Sequence, residues 1–134
     1  MASRLNPYLN FADNAAEAMA FYQSVFGGQL DVMKFGDMPN SPAEEADKVM
    51  HSMLTTDGGF ALMGADTPNG MQQTPNGSVS LSGDDAKELE GYWTKLSDGG
   101  QVGVPLEKQM WGDVFGMCTD KYGVTWLVNI SQQS

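Results

Sequence analysis

The stretch DNAAE at residues 13–17 decides the fold, because the related stretch DDAKE occurs 71 positions later, at residues 84–88. Each has the pattern of a helix start, since Asn14 or Asp85 can accept the free backbone N–H groups of a first turn. The acidic residue three positions further on adds the second half of a capping box. Two helix starts of the same kind indicate an internal repeat of the chain.

A stripe of apolar residues follows each helix start. The stripe consists of Ala18, Phe21, Tyr22 and Val25 in the first copy and of Leu89, Tyr92, Trp93 and Leu96 in the second. This spacing of i, i+3, i+4 and i+7 predicts an amphipathic helix in both copies. Each predicted helix ends at a pair of glycines, at 27–28 and 99–100, where a left-handed residue can close the last carbonyl groups.

Predicted strands flank each helix and complete the repeat. Residues 6–11 and 78–82 alternate between polar and apolar side chains, which is typical of a strand with one apolar face. After each double glycine the chain continues as a second strand, and two more strands follow, joined by a turn. These strands are expected at 27–32, 49–55 and 60–65 in the first copy and at 99–104, 114–119 and 124–130 in the second.

The chain is therefore predicted to be one α+β domain, residues 1–134, made of two βαβββ modules. The modules span residues 4–66 and 78–131, and a turn-rich linker at 67–77 joins them. The first module has about eight extra residues, which we place in a surface loop at 36–47. Each helix is expected to cover one face of a curved mixed sheet, so that the other faces line a cleft.

Composition excludes several classes of function. Seventeen Asp and Glu against seven Lys and Arg give a net charge of −10, which disfavours nucleic acids and anionic membranes as partners. No apolar run is long enough to span a bilayer, and residues 1–7 lack the apolar region of a signal peptide. Cys118 is the only cysteine, so an intrachain disulfide is excluded and a cytoplasmic location is expected.

Four segments resemble the vicinal oxygen chelate superfamily of glyoxalase I, bleomycin-resistance proteins and extradiol dioxygenases. The segments are LNPYLNF (5–11), FYQSVFGG (21–28), HSMLTTDGGFALMGAD (51–66) and DKYGVTWLVN (120–129). They are most similar to the PhnB-like branch, and the resemblance covers residues 4–131. Some members of that branch carry a ubiquinone methyltransferase label, but the chain has no Gly-x-Gly-x-Gly loop between a strand and a helix.

The resemblance also implies positions for metal ligands. Metal-dependent members place a His, Gln or Glu on the first and last strand of each module, facing the cleft. The matching positions here are Asn6, Leu62, Ser78 and Trp126. None of these is a strong ligand for a transition metal, so we predict that the metal site is absent and that no cofactor is bound.

The remaining candidate residues are a histidine and several aromatic side chains. His51, the only histidine, is a possible general base, although a half-buried strand residue is the simpler interpretation. Tyr8 is a possible hydrogen-bond donor or acid on the same face. Trp111 and Trp126 are candidates for stacking on a planar ligand. Cys118 lacks a nearby cation and is expected to be a core residue.

We expect a metal-independent protein that binds a partly hydrophobic small molecule in an aromatic and methionine-lined cleft. The predicted ligand-binding set is Asn6, Tyr8, His51, Leu62, Ser78, Trp111, Phe115 and Trp126. An alternative is a lyase or isomerase of the same superfamily that uses Tyr8 or His51 as acid or base. A metal-dependent glyoxalase or dioxygenase is the third possibility. The resemblance further implies a homodimer, and the acidic charge slightly favours a cationic ligand.

Overall fold

The computed structural model describes residues 5–37, 39, 43–68 and 75–132. The chain forms two compact units, residues 1–76 and 77–134. Each unit has one helix and one four-stranded sheet, which confirms the α+β class predicted from the repeat. Neither helix has the length and apolar character needed to cross a membrane.

The first unit contains four strands and one α-helix. The elements are β1 (Tyr8–Phe11), α1 (Ala15–Phe26), β2 (Gln29–Lys34), β3 (Val49–Thr55) and β4 (Ala61–Asp66). The strand order is β1-β4-β3-β2, with β1 parallel to β4 and the other pairs antiparallel. The predicted surface loop contains two short 3-10 turns, at Phe35–Asp37 and Ala43–Glu45. Positions 38 and 40–42 of that loop lie outside the described residues.

The second unit repeats this arrangement. Its elements are β5 (Ser78–Gly83), α2 (Ala86–Ser97), β6 (Gln101–Lys108), β7 (Val114–Thr119) and β8 (Thr125–Ile130). The strand order is β5-β8-β7-β6, with β5 parallel to β8. The element order βαβββ therefore occurs twice, as the sequence predicts. Within the predicted linker, residues 69–74 lie outside the described part of the chain.

The start of α1 differs from the prediction. Asn14 makes no side-chain capping bond, and the carboxylate of Asp66 accepts the N–H of Ala15 at 2.8 Å instead. The other oxygen of Asp66 accepts the N–H of Val49 at 2.8 Å, so one buried side chain ties α1 to the start of β3. In α2 the prediction is confirmed, because the Asp85 carboxylate accepts the N–H of Glu88 at 3.1 Å.

The hairpin turns show the repeat at atomic detail. The Thr56 hydroxyl accepts the N–H of Phe60 at 2.9 Å, and the carboxylate of Asp120 accepts the N–H of Val124 at 3.1 Å. Asp120 is buried and also accepts the indole N–H of Trp126 at 2.8 Å. The acidic residue therefore connects the β7–β8 turn to the hydrophobic core.

Candidate functional site

Each sheet has one face covered by the helix of its own unit and one open face. In the first unit, α1 lies against Gly64, where an added Cβ would lie 2.9 Å from the sulfur of Met19. Gly64 pairs with Ser52 on β3, and Leu62, two residues before Gly64, shares its face. The opposite side is the first open face. Its side chains are Tyr8 and Asn10 on β1, Ala61, Met63 and Ala65 on β4, His51, Met53 and Thr55 on β3, and Gln29, Asp31 and Met33 on β2.

In the second unit, the ring of Trp93 on α2 lies over Gly116, and an added Cβ there would be 2.8 Å from its Cη2. Gly116 pairs with Val128, so Trp126 and Ile130 on the same strand also face α2. The other side is the second open face. Its side chains are Ser78, Ser80 and Ser82 on β5, Thr125, Leu127 and Asn129 on β8, Phe115, Met117 and Thr119 on β7, and Gln101, Val104 and Glu107 on β6.

These registers correct two predicted site residues. Leu62 is 5% exposed and Trp126 is 1% exposed, and both face the helix of their own unit. They are core residues, and the prediction that they line a ligand site is wrong. Ser78 lies on the second open face, and Asn6 lies in the segment that precedes β1.

The first open face brings together Tyr8 and His51. Their ring centroids are 6.2 Å apart with planes inclined at 30°, and the pair reaches across β4 because Tyr8 lies on β1 and His51 on β3. Tyr8 is 46% exposed and His51 is half-buried. Both candidate acid–base groups are therefore near each other and accessible from the open side.

Methionines surround this ring pair. Met63 is the cross-strand partner of both Tyr8 and Met53, and Met33 is the partner of His51. A thioether side chain is flexible and polarisable, so these residues can adapt to apolar or aromatic ligands of different shapes. The sequence predicts a methionine-lined cleft, and the strand registers place these three methionines on one face.

The outer edge of β1 is closed by Asn76. Its side-chain oxygen accepts the N–H of Asn10 at 2.7 Å, and its side-chain nitrogen donates to the carbonyl oxygen of Asn10 at 3.0 Å. These two bonds take the place of the two backbone bonds that a neighbouring strand would make to Asn10. The contact joins residues 66 positions apart and has no local sequence signal.

An aromatic pair, an exposed tryptophan and a half-buried phenylalanine, lies at the end of the second open face. Trp111 lies in the β6–β7 turn, is 60% exposed, and has its indole centroid 6.1 Å from the Phe115 ring at an angle of 59°. The backbone of the turn is closed by a bond from the Gln109 N–H to the Asp113 carbonyl oxygen, at 2.8 Å. The side-chain amide of Gln109 also donates to the carbonyl oxygen of Glu107 at 2.9 Å, which adds a second bond at the base of the turn.

Cys118 is a core residue, in agreement with the sequence. Burial, together with the negative charge of Asp120, raises the pKa of its thiol to about 11. The thiol is thus protonated at neutral pH and is a poor nucleophile.

The donor set of the open faces does not fit the transition-metal site of the superfamily. The end strands β1, β4, β5 and β8 carry only amide, hydroxyl, apolar and aromatic side chains on these faces. At the four expected positions, Leu62 and Trp126 have no ligating atom for a divalent ion, and Asn6 and Ser78 are weak neutral oxygen donors. Among residues 5–37, 39, 43–68 and 75–132, no three His, Cys, Asp or Glu side chains form a metal-binding group.

The helix N-termini do not fit a nucleotide-containing methyl donor either. The connections before the two helices, residues 12–14 and 84–85, are short and contain no glycine. A nucleotide phosphate or sugar approaches the backbone closely at a glycine-rich loop, which neither connection provides. The carboxylates of Asp66 and Asp85 already accept backbone N–H groups at these helix starts.

Comparisons with known proteins agree with this architecture. The family model described as 3-demethylubiquinone-9 3-methyltransferase matches residues 3–129. The crystal structure of PA1353 from Pseudomonas aeruginosa is 38% identical, with a TM-score of 0.85 over 98% of this chain and 100% of that one. The PhnB protein from Bacillus cereus is 28% identical, with a TM-score of 0.73 over 96% of this chain and 100% of that one.

A more distant structure shows the shared fold. The glyoxylase/bleomycin resistance protein/dioxygenase domain from Frankia sp. EAN1pec is 13% identical, with a TM-score of 0.67 over 98% of this chain and 99% of that one. The resemblance to the PhnB-like branch and to its superfamily fold, predicted from the sequence, is thereby confirmed.

Proposed function

Because the chain belongs to the 3-demethylubiquinone-9 3-methyltransferase family and has the glyoxalase/bleomycin-resistance fold, we propose that it is a metal-independent protein that binds a small molecule. The ligand is partly hydrophobic and is held by aromatic and methionine side chains of an open sheet face. Apolar side chains with a few placed polar groups are typical of such sites. The name of the family does not decide the activity, because function depends on the residues of the site.

The observation that carries the proposal is the Tyr8–His51 pair among Met33, Met53 and Met63. The pair supplies two ring faces, a hydroxyl and an imidazole, and the methionines supply adaptable apolar surface. A ligand with a flat apolar part and one or two polar atoms matches these groups. The second open face is a separate candidate surface, with the Trp111–Phe115 pair and the hydroxyls of its serines.

Two spectroscopic reporters test ligand binding. Trp111 is exposed whereas Trp126 is buried, so we expect a bound ligand on the second open face to change tryptophan emission through Trp111. His51 is the only histidine, so no other imidazole signals overlap with its own. Its ring proton NMR signals therefore report ligand binding at the first open face. A metabolite and antibiotic library is screened with both.

The matched controls are single aromatic variants. Trp111→Phe is expected to abolish the emission response to a hit, and Trp93→Phe, on the helix-covered side, is expected to keep it. If no library compound changes either the tryptophan emission or the His51 signals, the binding proposal is wrong.

A lyase or isomerase that uses Tyr8 or His51 is the second candidate, favoured by the 6.2 Å separation of the two rings. For a binding protein, we expect His51→Ala to weaken a hit less than about tenfold, because one half-buried contact is lost. A general acid or base contributes about 10²–10⁴-fold to a rate. If a hit is converted to product, and His51→Ala lowers that rate by this factor with little change in Kd, the protein is an enzyme instead.

The homodimer and the cytoplasmic location inferred from the sequence are part of the same proposal. Met110 is 99% exposed beside Trp111 in the β6–β7 turn, which is apolar surface of the kind that a twofold interface covers. The single buried thiol suits a reducing compartment.

A further inference from the structure

Among the residues that the structure describes, the strands of the second open face carry an acidic side chain and no basic one. Glu107 on β6 is the cross-strand partner of Phe115, and it is the one acidic or basic side chain among the described strand residues of this face. Lys108 is the partner of Val114 and therefore lies on the helix-covered side of β6. Lys121 lies in the β7–β8 turn, where its side chain is close to Gly99 at the other end of the sheet.

A second carboxylate lies at the end of this face that Trp111 occupies. One oxygen of Asp113 accepts from the side-chain nitrogen of Asn129 at 3.1 Å, and the other accepts from the N–H of Gln132 at 3.4 Å. Both partners are neutral donors, so the negative charge of Asp113 is oriented by them and not neutralised. Asn129 is the cross-strand partner of Phe115, which places this carboxylate beside the aromatic pair.

Aromatic faces and uncompensated carboxylates together have a specific chemical preference. The face of an indole or phenyl ring attracts a cation within about 6 Å of its centroid, and alkylated ammonium groups are bound in this way. A carboxylate nearby adds long-range attraction, and the net charge of −10 raises the local concentration of cations. A neutral ligand of the same shape gains only the apolar part of these contacts.

We propose that the second open face recognises a small organic cation, an alkylated ammonium group, with Trp111 and Phe115 as the π surfaces and Glu107 and Asp113 as the counter-charges. This inference rests on the proposed binding function and names the chemical class of the ligand. The β6–β7 turn, closed by the backbone bond between Gln109 and Asp113, places the Trp111 indole next to the Phe115 ring.

The test compares two isosteric probes, choline and 3,3-dimethyl-1-butanol, which differ by the replacement of the quaternary nitrogen with carbon. Each probe is titrated into the full chain, and the indole N–H signal of Trp111 is followed by NMR, with Trp111→Phe identifying the signal. We expect choline to shift this signal with an affinity about tenfold higher than that of the neutral alcohol, the ratio expected for a cation–π contact of moderate strength.

Variants separate the two contributions. Trp111→Leu keeps apolar surface but removes the ring, and we expect it to weaken choline about tenfold and leave the alcohol nearly unchanged. Because this variant lacks the Trp111 indole signal, affinities are compared across the wild type and all variants by isothermal titration calorimetry. Glu107→Gln is expected to weaken choline about threefold, with a smaller effect at high salt. Glu90→Gln, which removes an exposed carboxylate from α2, is the matched control for net charge and is expected to have no effect.

Equal affinities for choline and the neutral alcohol would overturn the cation preference while supporting small-molecule binding at this face. A loss of choline binding in Glu90→Gln as large as in Glu107→Gln would also overturn it, because the effect would then come from overall charge. A response to neither probe would overturn the cation assignment, and the library screen with its tryptophan and histidine reporters decides separately whether the binding function fails.

Discussion

Replacing Trp126 with alanine will lower the free energy of unfolding by about 3 to 5 kcal/mol, the usual cost of removing a large aromatic side chain from a core. Trp126 is fully buried on the helix-covered face of β8. The substitution also removes the indole N–H from the buried carboxylate of Asp120, which leaves one of its oxygens without that donor. Urea unfolding followed by circular dichroism measures the change.

Two controls distinguish packing from hydrogen bonding. Trp126→Phe keeps much of the ring but loses the N–H donor, so we expect a smaller cost of about 1 to 3 kcal/mol. Trp111→Ala, at an exposed position, is expected to change stability by less than about 1 kcal/mol. If Trp126→Ala has wild-type stability but no longer binds ligand, the assignment of Trp126 to the core is wrong. Trp126 would then belong to the ligand site on the open face.

Replacing Asp66 with alanine will cost about 2 to 5 kcal/mol, because two buried backbone N–H groups, of Ala15 and Val49, lose their acceptor. Asp66→Asn is not expected to restore stability, since both partners are donors and the amide presents only one acceptor oxygen. Unfolding in urea gives the overall change, and hydrogen exchange at the Ala15 and Val49 amides shows where protection is lost.

The control for Asp66 is a nearby exposed acid. Asp47→Ala removes one negative charge close to the start of β3 and is expected to change stability by no more than about 0.5 kcal/mol. If Asp66→Asn is as stable as the wild type, the carboxylate is not accepting both N–H groups, and the proposed connection between α1 and β3 is wrong.

The repeat could be predicted because its signals are local sequence patterns. The helix starts at 13–17 and 84–88, the apolar stripes and the double glycines all depend on residues within one or two turns of each other. The offsets between the copies then align the two modules, and the observed strands agree with them to within a few residues.

The orientation of β4 and β8 could not be predicted in the same way. Leu62 and Met63 are both apolar although they lie on opposite faces, and the same holds for Trp126 and Leu127. A strand that is apolar on both faces has no period-two signal to show which side meets the helix. The superfamily resemblance then placed Leu62 and Trp126 on the wrong face.

Contacts between distant residues were also beyond local patterns. Asp66 accepts a bond from Ala15, 51 positions away, and this replaces the cap that the sequence predicts for Asn14. In the candidate site, the pairing of Glu107 with Phe115 could not be predicted from the sequence, because β6 has two register irregularities between Val102 and Glu107. Such breaks change which residues share a face without leaving a mark in hydropathy.

The bonds between Asn76 and Asn10 bear on how the protein behaves when concentrated. An uncovered edge strand offers its N–H and C=O groups to any other extended chain, and this is a common route to fibrils and insoluble aggregates. The Asn76 side-chain amide occupies the N–H and C=O groups of Asn10 on β1, so these groups cannot pair with a strand of another chain. We therefore expect this side chain to contribute to the solubility of the protein.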